Sequence, residues 1–403
     1  MRPETIAVAG TLESSDVLVT VEPWPDGIEL SIESVAFAQY GRQIRETVLE
    51  TLARLEVDHV RVTLNDRGAL DCTIKARVER ACLRSCNVAI DAPCPWRSPA
   101  RISRPRPKKD RLRRSMLFMN AQRPGLIKDA YIYGADSIIL DLEDAVAEDQ
   151  KDAARSSLFH ALREIDHGDV EVIVRINGLD TPHWREDVRV CVAGGADGIR
   201  IAKTESARDV KDVETAVLEA EREHGVEEGH TLLMAAIESP MGVLNAYEIC
   251  TASDRLFGIA LSGGDYRRCM QVEPTPSGIE LLAARGHMLI AARAAGVQCF
   301  DTVFTDLDDE EGFRAEVRLA IEMGFDGKSL ISPRQIPIVH QMMAPGREQI
   351  ARAEAILRAY KEHAAKGVGV FVLNGKMIDV AFVPGAERTI RLAKASGVYG
   401  GDL

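Results

Sequence analysis

Glu238 and Asp265 have the most chemistry to offer. Glu238 follows the apolar run TLLMAAI (231–237), and Asp265 follows LFGIAL (256–261) by way of Ser262-Gly263-Gly264. If the two runs are neighbouring strands, both carboxylates converge on one point. Two carboxylates with open water positions are what Mg²⁺ asks for, because it prefers octahedral oxygen ligation and keeps several waters. Arg175, near the end of VEVIVRI (170–176), can face the same ion with a planar fork suited to a carboxylate or an enolate oxygen. Asp141, Glu143 and Asp144 cluster at the end of SIILDL (137–142). Most of that group reads as supporting residues or helix starts, since acids also cap helices. Ser239-Pro240 likewise can begin a helix directly after Glu238.

A different chemistry is offered near the N-terminus. Ala9-Gly10-Thr11-Leu12-Glu13-Ser14-Ser15-Asp16 is a polar, glycine-led loop with two adjacent serines. Either hydroxyl can carry a covalent group, and either can equally be a loop or capping residue. The 8 cysteines offer less: no paired CxxC spacing occurs, and Cys82, Cys86 and Cys94 form the one local cluster. Ordinary reduced thiols are expected there rather than zinc ligands.

The elements that must position these residues fall on either side of a seam. Pro93 to Arg114 (PCPWRSPARISRPRPKKDRLRR) is rich in proline and basic residues within a chain of formal net charge -12. Such a stretch cannot bury a core and reads as a solvated linker between an N-terminal unit, 1–92, and a larger unit, 115–403. In the small unit, DVLVTVE (16–22) and IELSIES (28–34) alternate apolar and polar residues around Pro25-Asp26-Gly27, which predicts a β-hairpin. Helices over 37–55 and 71–86 and a third strand over 59–64 complete a small α+β fold. The large unit shows eight apolar runs, at 115–119, 137–142, 170–176, 198–203, 231–237, 256–261, 299–304 and 328–332, each followed by enough chain for a helix. That predicts an α/β fold of the (β/α)8 TIM-barrel type, whose chemistry sits at the C-terminal strand ends. A doubly wound open sheet is the alternative, but no Gly-x-Gly-x-x-Gly turn follows any run. The acidic balance argues against nucleic acid as a partner. No apolar run approaches membrane-spanning length and no signal core follows Met1, so a cytoplasmic protein is expected.

Longer motifs sharpen these readings. AVAGTLESSDV, Asp66-Arg67-Gly68-Ala69-Leu70-Asp71-Cys72 and TIKARVERACLR resemble the acyl carrier (gamma) subunit of citrate lyase over nearly all of residues 1–90. The resemblance implies that Ser14 bears a phosphodiester-linked phosphoribosyl-dephospho-coenzyme A arm, with Ser15 the neighbour to exclude. From Arg113 onward, RRSMLF, YGADSIILDLEDAV, KDAAR, VIVRIN, GGADGIRIAKTES, LLMAAIESP, IALSGGDY, FDTVFTD, FDGKSLISPRQI and LNGKMID resemble the beta (citryl lyase) subunit. That subunit sits within the malyl- and citramalyl-thioester lyase and aldolase superfamily. The likeness implies that Arg175 binds substrate, Glu238 binds magnesium and substrate, and Asp265 binds magnesium. It also implies an acid–base role for Asp379 of LNGKMID, often at a neighbouring subunit's site, although its place after a β-run also suits a turn aspartate.

Two loops depart from the family pattern. Met119-Asn120-Ala121 stands where many relatives have Pro-Gly, and Gly263-Gly264 precedes Asp265-Tyr266 where relatives often have Ala-Glu. The expected activity is cleavage of a citryl-carrier thioester to oxaloacetate and acetyl-carrier, with carrier and lyase fused. An alpha subunit that loads the carrier is the implied partner, together with a homo-oligomeric barrel. The alternatives are a lyase or aldolase acting on free acyl-coenzyme A thioesters or 2-oxo acids, and a carrier or assembly protein without catalysis.

Overall fold

The alternating pattern near the N-terminus does build a sheet, but with one strand more than expected and in a different order. In the computed structural model, which describes residues 1–89, 92, 105–365 and 369–403, β1 (Ala7–Ala9), β2 (Val17–Pro23), β3 (Ile28–Ser34) and β4 (Val60–Asp66) are ordered β1-β2-β4-β3. β2 and β3 do not pair as a hairpin. β4 lies between them, antiparallel to β2 and parallel to β3. Burial explains the choice. Val17, Val19 and Val21 of β2 and Val60, Val62 and Leu64 of β4 are fully buried, so these two strands take the centre. β3 interleaves Glu29, Ser31 and Glu33 with its apolar residues and takes an edge, where charge discourages further pairing. α1 (Phe37–Arg54) and α2 (Asp71–Ser85) complete the core with Ile44, Val48, Leu52, Ile74 and Val78.

In the second half every predicted run becomes a strand: β5 (Ser115–Asn120), β6 (Ser137–Asp141), β7 (Glu171–Ile176), β8 (Gly198–Ile201), β9 (Leu232–Ile237), β10 (Leu256–Leu261), β11 (Gln298–Asp301) and β12 (Gly327–Leu330). They close into a parallel barrel, because β12 pairs with β5 as well as with β11. The open sheet is thereby excluded. Met116, Ile139, Ile173, Met234, Phe257 and Phe300 form one hydrophobic cluster of the barrel strands, a packed core rather than a pore. Around the barrel run α3 (Pro124–Ile127), α4 (Lys151–Glu164), α5 (Trp184–Gly194), α6 (Ala207–His224), α7 (Pro240–Leu244), α8 (Ala246–Cys250), α9 (Gly263–Met270), α10 (Ile279–Ala295), α11 (Glu310–Met323) and α12 (Gln335–Met343). A tail of α13 (Arg347–Ala364), the hairpin β13 (Phe371–Leu373) and β14 (Lys376–Ile378), and α14 (Val383–Ala395) follows. It has its own small core around Ile356, Phe371, Ile378 and Ile390.

Both the seam and the tail meet the floor of the barrel, where strands begin. Residues 93–104 of the seam lie outside the described residues. Of the remainder, 105–110 is mostly exposed but tied to the floor at points, and Arg113 and Arg114 are buried. Arg106 pairs with Glu227 at 2.6 Å, and Lys109 donates to the Asp254 carbonyl at 2.6 Å. Arg113 is fully buried, pairs with Glu171 at 2.7 Å and lies 3.9 Å over the Phe257 ring. The tail docks nearby: Arg388 of α14 donates to the Phe325 carbonyl just before β12, and Arg114 just before β5 donates to Ser396.

The small unit is packed against the barrel's side. Every residue of α4 from Lys151 to Leu162 is buried, although that stretch includes Lys151, Asp152, Arg155, Ser156, Ser157 and His160. In a lone barrel such a polar face would meet water. Here α2 covers it. Arg84 grips Asp152 with two bonds of 2.9 and 2.5 Å, and Lys75 meets Glu164 at 3.0 Å. Arg77 donates to Ser157, Arg80 to Ser156, and Glu79 contacts the His160 ring at 3.2 Å. Leu83 of α2 belongs to the hydrophobic cluster of the barrel's helices.

Candidate active site

The strand-end acids expected to converge do so. Glu238, one residue beyond β9, and Asp265, in the first turn of α9, line one cavity of about 570 Å³ together with Lys203, Glu205, Asn245 and Arg268. Ser239 caps α7 by accepting from the Gly242 N–H, and Pro240 opens that helix, so the Ser-Pro pair fixes the chain just past Glu238. Glu238 is 2 % exposed. Its Oε1 accepts from the Ser262 hydroxyl at 3.2 Å, while its Oε2 is buried with no hydrogen-bond partner. Burial pushes the Glu238 carboxyl up to about 7; Asp265 and Glu143 add to the push, and Arg200 and Arg175 oppose it.

An orphaned carboxylate oxygen beside a second carboxylate is a donor set that fits a hard cation. Among the described residues no group of three or more His, Cys, Asp or Glu side chains is arranged to hold a metal. A cation at Glu238 and Asp265 would therefore complete its shell with water and substrate oxygens, as Mg²⁺ commonly does. Asp265 also pairs with Arg268 at 2.8 Å, within its own helix.

Arg175 is held rather than free. Its Nε and Nη2 each donate at 2.7 Å to Asp141, and its Nη1 meets Glu143 at 3.0 Å. Those three contacts leave two of its five N–H donors for a ligand. Burial opposes its charge, yet the Asp141 bonds and the nearby acids raise its pKa further. Burial alone would raise Asp141, but Arg175 and the backbone N–H groups of Glu143 and Ala145 hold its carboxyl below the ordinary range. Asp141 thus serves Arg175 and the following turn, the supporting role read for that acidic group. Lys203 sits in the left-handed region at φ 50° and pairs with Glu143 at 2.5 Å. Strain of that kind at a non-glycine residue is commonly tolerated at working sites.

Arg200 is the residue that sequence reasoning passed over. It lies in β8, is 1 % exposed, and donates through Nη2 to Ser262 at 3.0 Å, while Nε and Nη1 have no partner. Burial, with Arg175 adding to it, lowers its pKa to about 10. Its guanidinium carbon and that of Arg175 lie 5.1 and 5.2 Å from the centre of the Phe118 ring. The available signal was an arginine inside the otherwise apolar GIRI, a costly place for a charge without a task.

The altered loops also gain a structural account. A Cβ at Gly263 would stand 2.9 Å from the Thr302 hydroxyl oxygen, which accepts from the Gly263 N–H, whereas Gly264 faces open space. Asn120 ties its own loop to the next, donating to the Ala145 carbonyl at 2.6 Å.

The remaining predicted residues lie elsewhere. Ser14 is exposed at the edge of a second cavity, about 650 Å³, between the small unit and the loops after β5 and β6. Ser15 is 8 % exposed and in the left-handed region at φ 66°. Asp379 does not line the Glu238 cavity. It caps the turn over 380–382, accepting from the Ala381 N–H, in the tail that meets the barrel floor. Around it Val372, Met377 and Val380 are more than 60 % exposed.

Comparison with known proteins follows the same division. The family described as HpcH/HpaI aldolase/citrate lyase matches residues 114–333, and one described as C-C bond lyase of the TIM-barrel fold matches 283–398. Residues 4–85 match the acyl carrier family described as malonate decarboxylase delta subunit. The citrate lyase subunit beta of Leuconostoc mesenteroides subsp. cremoris is 49 % identical over 287 residues, 71 % of this chain and 95 % of the relative. A (3S)-malyl-CoA thioesterase of Cereibacter sphaeroides is 35 % identical over 287 residues, 71 % of this chain and 96 % of the relative. Among solved structures, protein CitE from Mycobacterium tuberculosis, in complex with magnesium, acetoacetate and coenzyme A, aligns with a TM-score of 0.57 at 29 % identity. The alignment covers 71 % of this chain and all of that one.

Proposed function

The chain belongs to the HpcH/HpaI aldolase/citrate lyase family, and from that premise we propose a citrate lyase component in which carrier and citryl lyase share one polypeptide. It is a carbon–carbon lyase with an acyl-carrier domain at its N-terminal end. We divide it into a carrier over 1–92, a linker over 93–114 whose second half is packed on the barrel, and a lyase over 115–403. The observation that carries the reading is that Ser14 and the Glu238–Asp265 cavity both border loops at the C-terminal end of the same barrel.

Ser14 is assigned the phosphoribosyl-dephospho-coenzyme A arm. Its exposure suits modification, and the burial of Ser15 disfavours the neighbour. Glu238 and Asp265 would hold Mg²⁺, which when bound supplies Lewis-acid polarisation of the substrate's hydroxyl and carboxylate oxygens. The chain's own residues supply the rest. Arg175, locked in place by Asp141 and Glu143, offers its two remaining N–H donors to a substrate carboxylate or to the enolate oxygen. Cleavage removes the hydroxyl proton, breaks the carbon–carbon bond to release oxaloacetate, and leaves its electron pair on the acetyl thioester as an enolate. A proton returned to that carbon gives acetyl-carrier, with no net redox change.

Asp379 is assigned the proton-handling role at the site of a second copy, since its own tail docks on the barrel floor. The exposed Val372, Met377 and Val380 beside it suit such a homo-oligomeric contact. A separate alpha subunit would load citrate onto the arm. Among the described residues no helix is long and apolar enough to cross a membrane, and the cytoplasm is the proposed setting.

The likeness to a malyl-CoA thioesterase over the same barrel supports a second reading, a lyase for free malyl- or citramalyl-coenzyme A. One experiment separates the two. Intact mass of protein from its native host should show the arm on Ser14, and citryl-loaded protein should release oxaloacetate in a magnesium-dependent way. Glu238→Ala or Asp265→Ala should lower that release roughly 10³-fold, the scale of several kcal/mol of lost charge stabilisation. Near-normal release from either variant sinks the site assignment, and an unmodified Ser14 with turnover of free thioesters alone favours the second reading.

A further inference from the structure

We propose that the carrier is a fixed part of the lyase, that the cavity beside Ser14 seats the phosphate-bearing stem of the arm, and that each arm serves the barrel of its own chain. The proposal rests on the reading of Ser14 as the attachment site, and answers what that reading leaves open, whether delivery is within a chain or between chains.

The docking surface is built to hold one register. Arg77 and Arg80 of α2 are 1 % and 4 % exposed. Arg77 joins the two units in a single residue: it grips Asp16 of the serine loop at 2.9 and 3.1 Å, donates to Ser157 of α4, and donates to the Gln122 carbonyl after β5. One guanidinium therefore ties the serine loop to two elements of the barrel. Leu83 adds apolar contact to the same face. Paired charges in this number fix geometry more than they add affinity, because a misaligned carrier would leave several of them buried without partners.

The cavity is matched to an anion. Arg123 and Lys128, from the barrel, line it together with Ser14, Lys128 also lying 3.8 Å from Asp129. Of the two acids on its wall, Asp16 has its charge committed to Arg77, which leaves Glu13. Gly125 lets the serine loop approach closely, since a Cβ there would stand 3.3 Å from the Ser14 carbonyl oxygen. Asn120 lines the cavity and bonds the Ala145 carbonyl, and the Ala145 N–H bonds Asp141, the partner of Arg175. A stem seated here is therefore linked through Asn120, Ala145 and Asp141 to Arg175, at the same end of the barrel as the Glu238 cavity.

Complementation tests the direction of delivery. Ser14→Ala chains keep the lyase site and lose the arm; Glu238→Ala chains keep the arm and lose the site. The two, co-expressed under separate tags and isolated together, are loaded with citrate and assayed for oxaloacetate. Own-chain delivery predicts no release beyond that of either variant alone. Release above that level overturns it. Docking is tested by Asp152→Arg, which faces Arg84: release from citryl-loaded protein should fall about tenfold or more as effective concentration is lost, while free citryl-coenzyme A is still cleaved. The swap Arg84→Asp with Asp152→Arg should restore part of both release and hydrogen-exchange protection of α2, since Arg80 also lies 3.7 Å from Asp152; equal protection in all three proteins overturns the fixed carrier. The seat is read by ³¹P resonance of the arm's phosphodiester, which should move toward the free-arm position in Arg123→Glu/Lys128→Glu, and an unmoved line overturns it. Wild-type protein lacking added mass on Ser14 would instead sink the carrier reading, and the exchange measurement would still judge docking.

Discussion

Two clusters of buried charge sit in the same barrel, and they are finished differently. Between β11, β12 and the helices outside them, Arg285 grips Asp301 at 2.8 and 3.0 Å, and Lys328 meets Asp301 at 3.0 Å. Glu316 completes the set, 3.1 Å from Arg285 and 2.5 Å from Lys328. Two cations face two anions; one nitrogen, Arg285 Nη1, lacks a bond, but every charge has its opposite. At the mouth, Arg175 and Lys203 have acidic partners, yet Arg200 and Glu238 are joined only through Ser262, and Arg200 keeps two unpartnered polar atoms and Glu238 one. A closed cluster holds the wall together. An open one stores unmet hydrogen-bonding capacity that a cation and a substrate can use, at a cost to the unliganded fold.

The difference is broken most directly from the closed side. Asp301→Asn leaves Lys328 and Arg285 sharing one carboxylate in a dry environment, and should cost about 3–5 kcal/mol of stability by denaturant unfolding. Turnover per folded molecule should be unchanged, because the cluster lies outside the barrel wall. Loss of turnover without loss of stability would show that the two clusters are not separate in function.

From the open side the signs reverse. Arg200→Met removes a buried guanidinium that has one bond, to Ser262, and puts an apolar side chain of similar length among Phe118 and its neighbours. Thermal stability should hold or rise, while citryl cleavage should fall roughly 10²-fold, the usual scale for losing one preorganised charge at a reacting centre. A fall in both would place Arg200 among the structural charges and erase the contrast.

What could be read beforehand divides along the same line. The eight barrel strands were legible because each is a short apolar run bounded by polar residues, a local property. Glu238 and Asp265 were legible because strand ends can be counted. Arg200 was not: one arginine in GIRI has no local mark of which way it points, and its unmet donors exist only once β7, β8 and β10 are assembled. The order of the carrier sheet failed for a similar reason, since β3 pairs with β4 across the whole of α1, and the Pro25-Asp26-Gly27 turn signals only that the chain reverses. The packing of 105–114 on the floor was hidden because proline and arginine describe a linker until Glu171 and Phe257 are placed beneath Arg113.

The carrier interface lies between the two clusters in kind, closed but dependent on one proton. His160 is buried on α4 and faces Glu79 of α2, Arg54 of α1, and Glu164 with its partner Lys75. Burial opposes its charge, but Glu79 and Glu164 outweigh that and raise its pKa above the ordinary histidine value. Burial would likewise raise Glu79, yet His160, Arg54 and Arg80 hold it down to about 2. A group whose pKa is raised in the folded state contributes fully below its free value of about 6.5 and loses that contribution as pH climbs through the raised value. Docking should therefore loosen on the alkaline side, while Glu79 stays ionised throughout. Hydrogen exchange of α2 should accelerate from pH 6 to pH 9 beyond the intrinsic rate, and His160→Gln should flatten that difference. At the mouth Arg175 keeps its charge across the range, whereas the Glu238 carboxyl, pushed up to about 7 by burial, loses its proton within it. A flat profile in the wild type would mean that His160 stays protonated or never was, and would return the interface to the closed class.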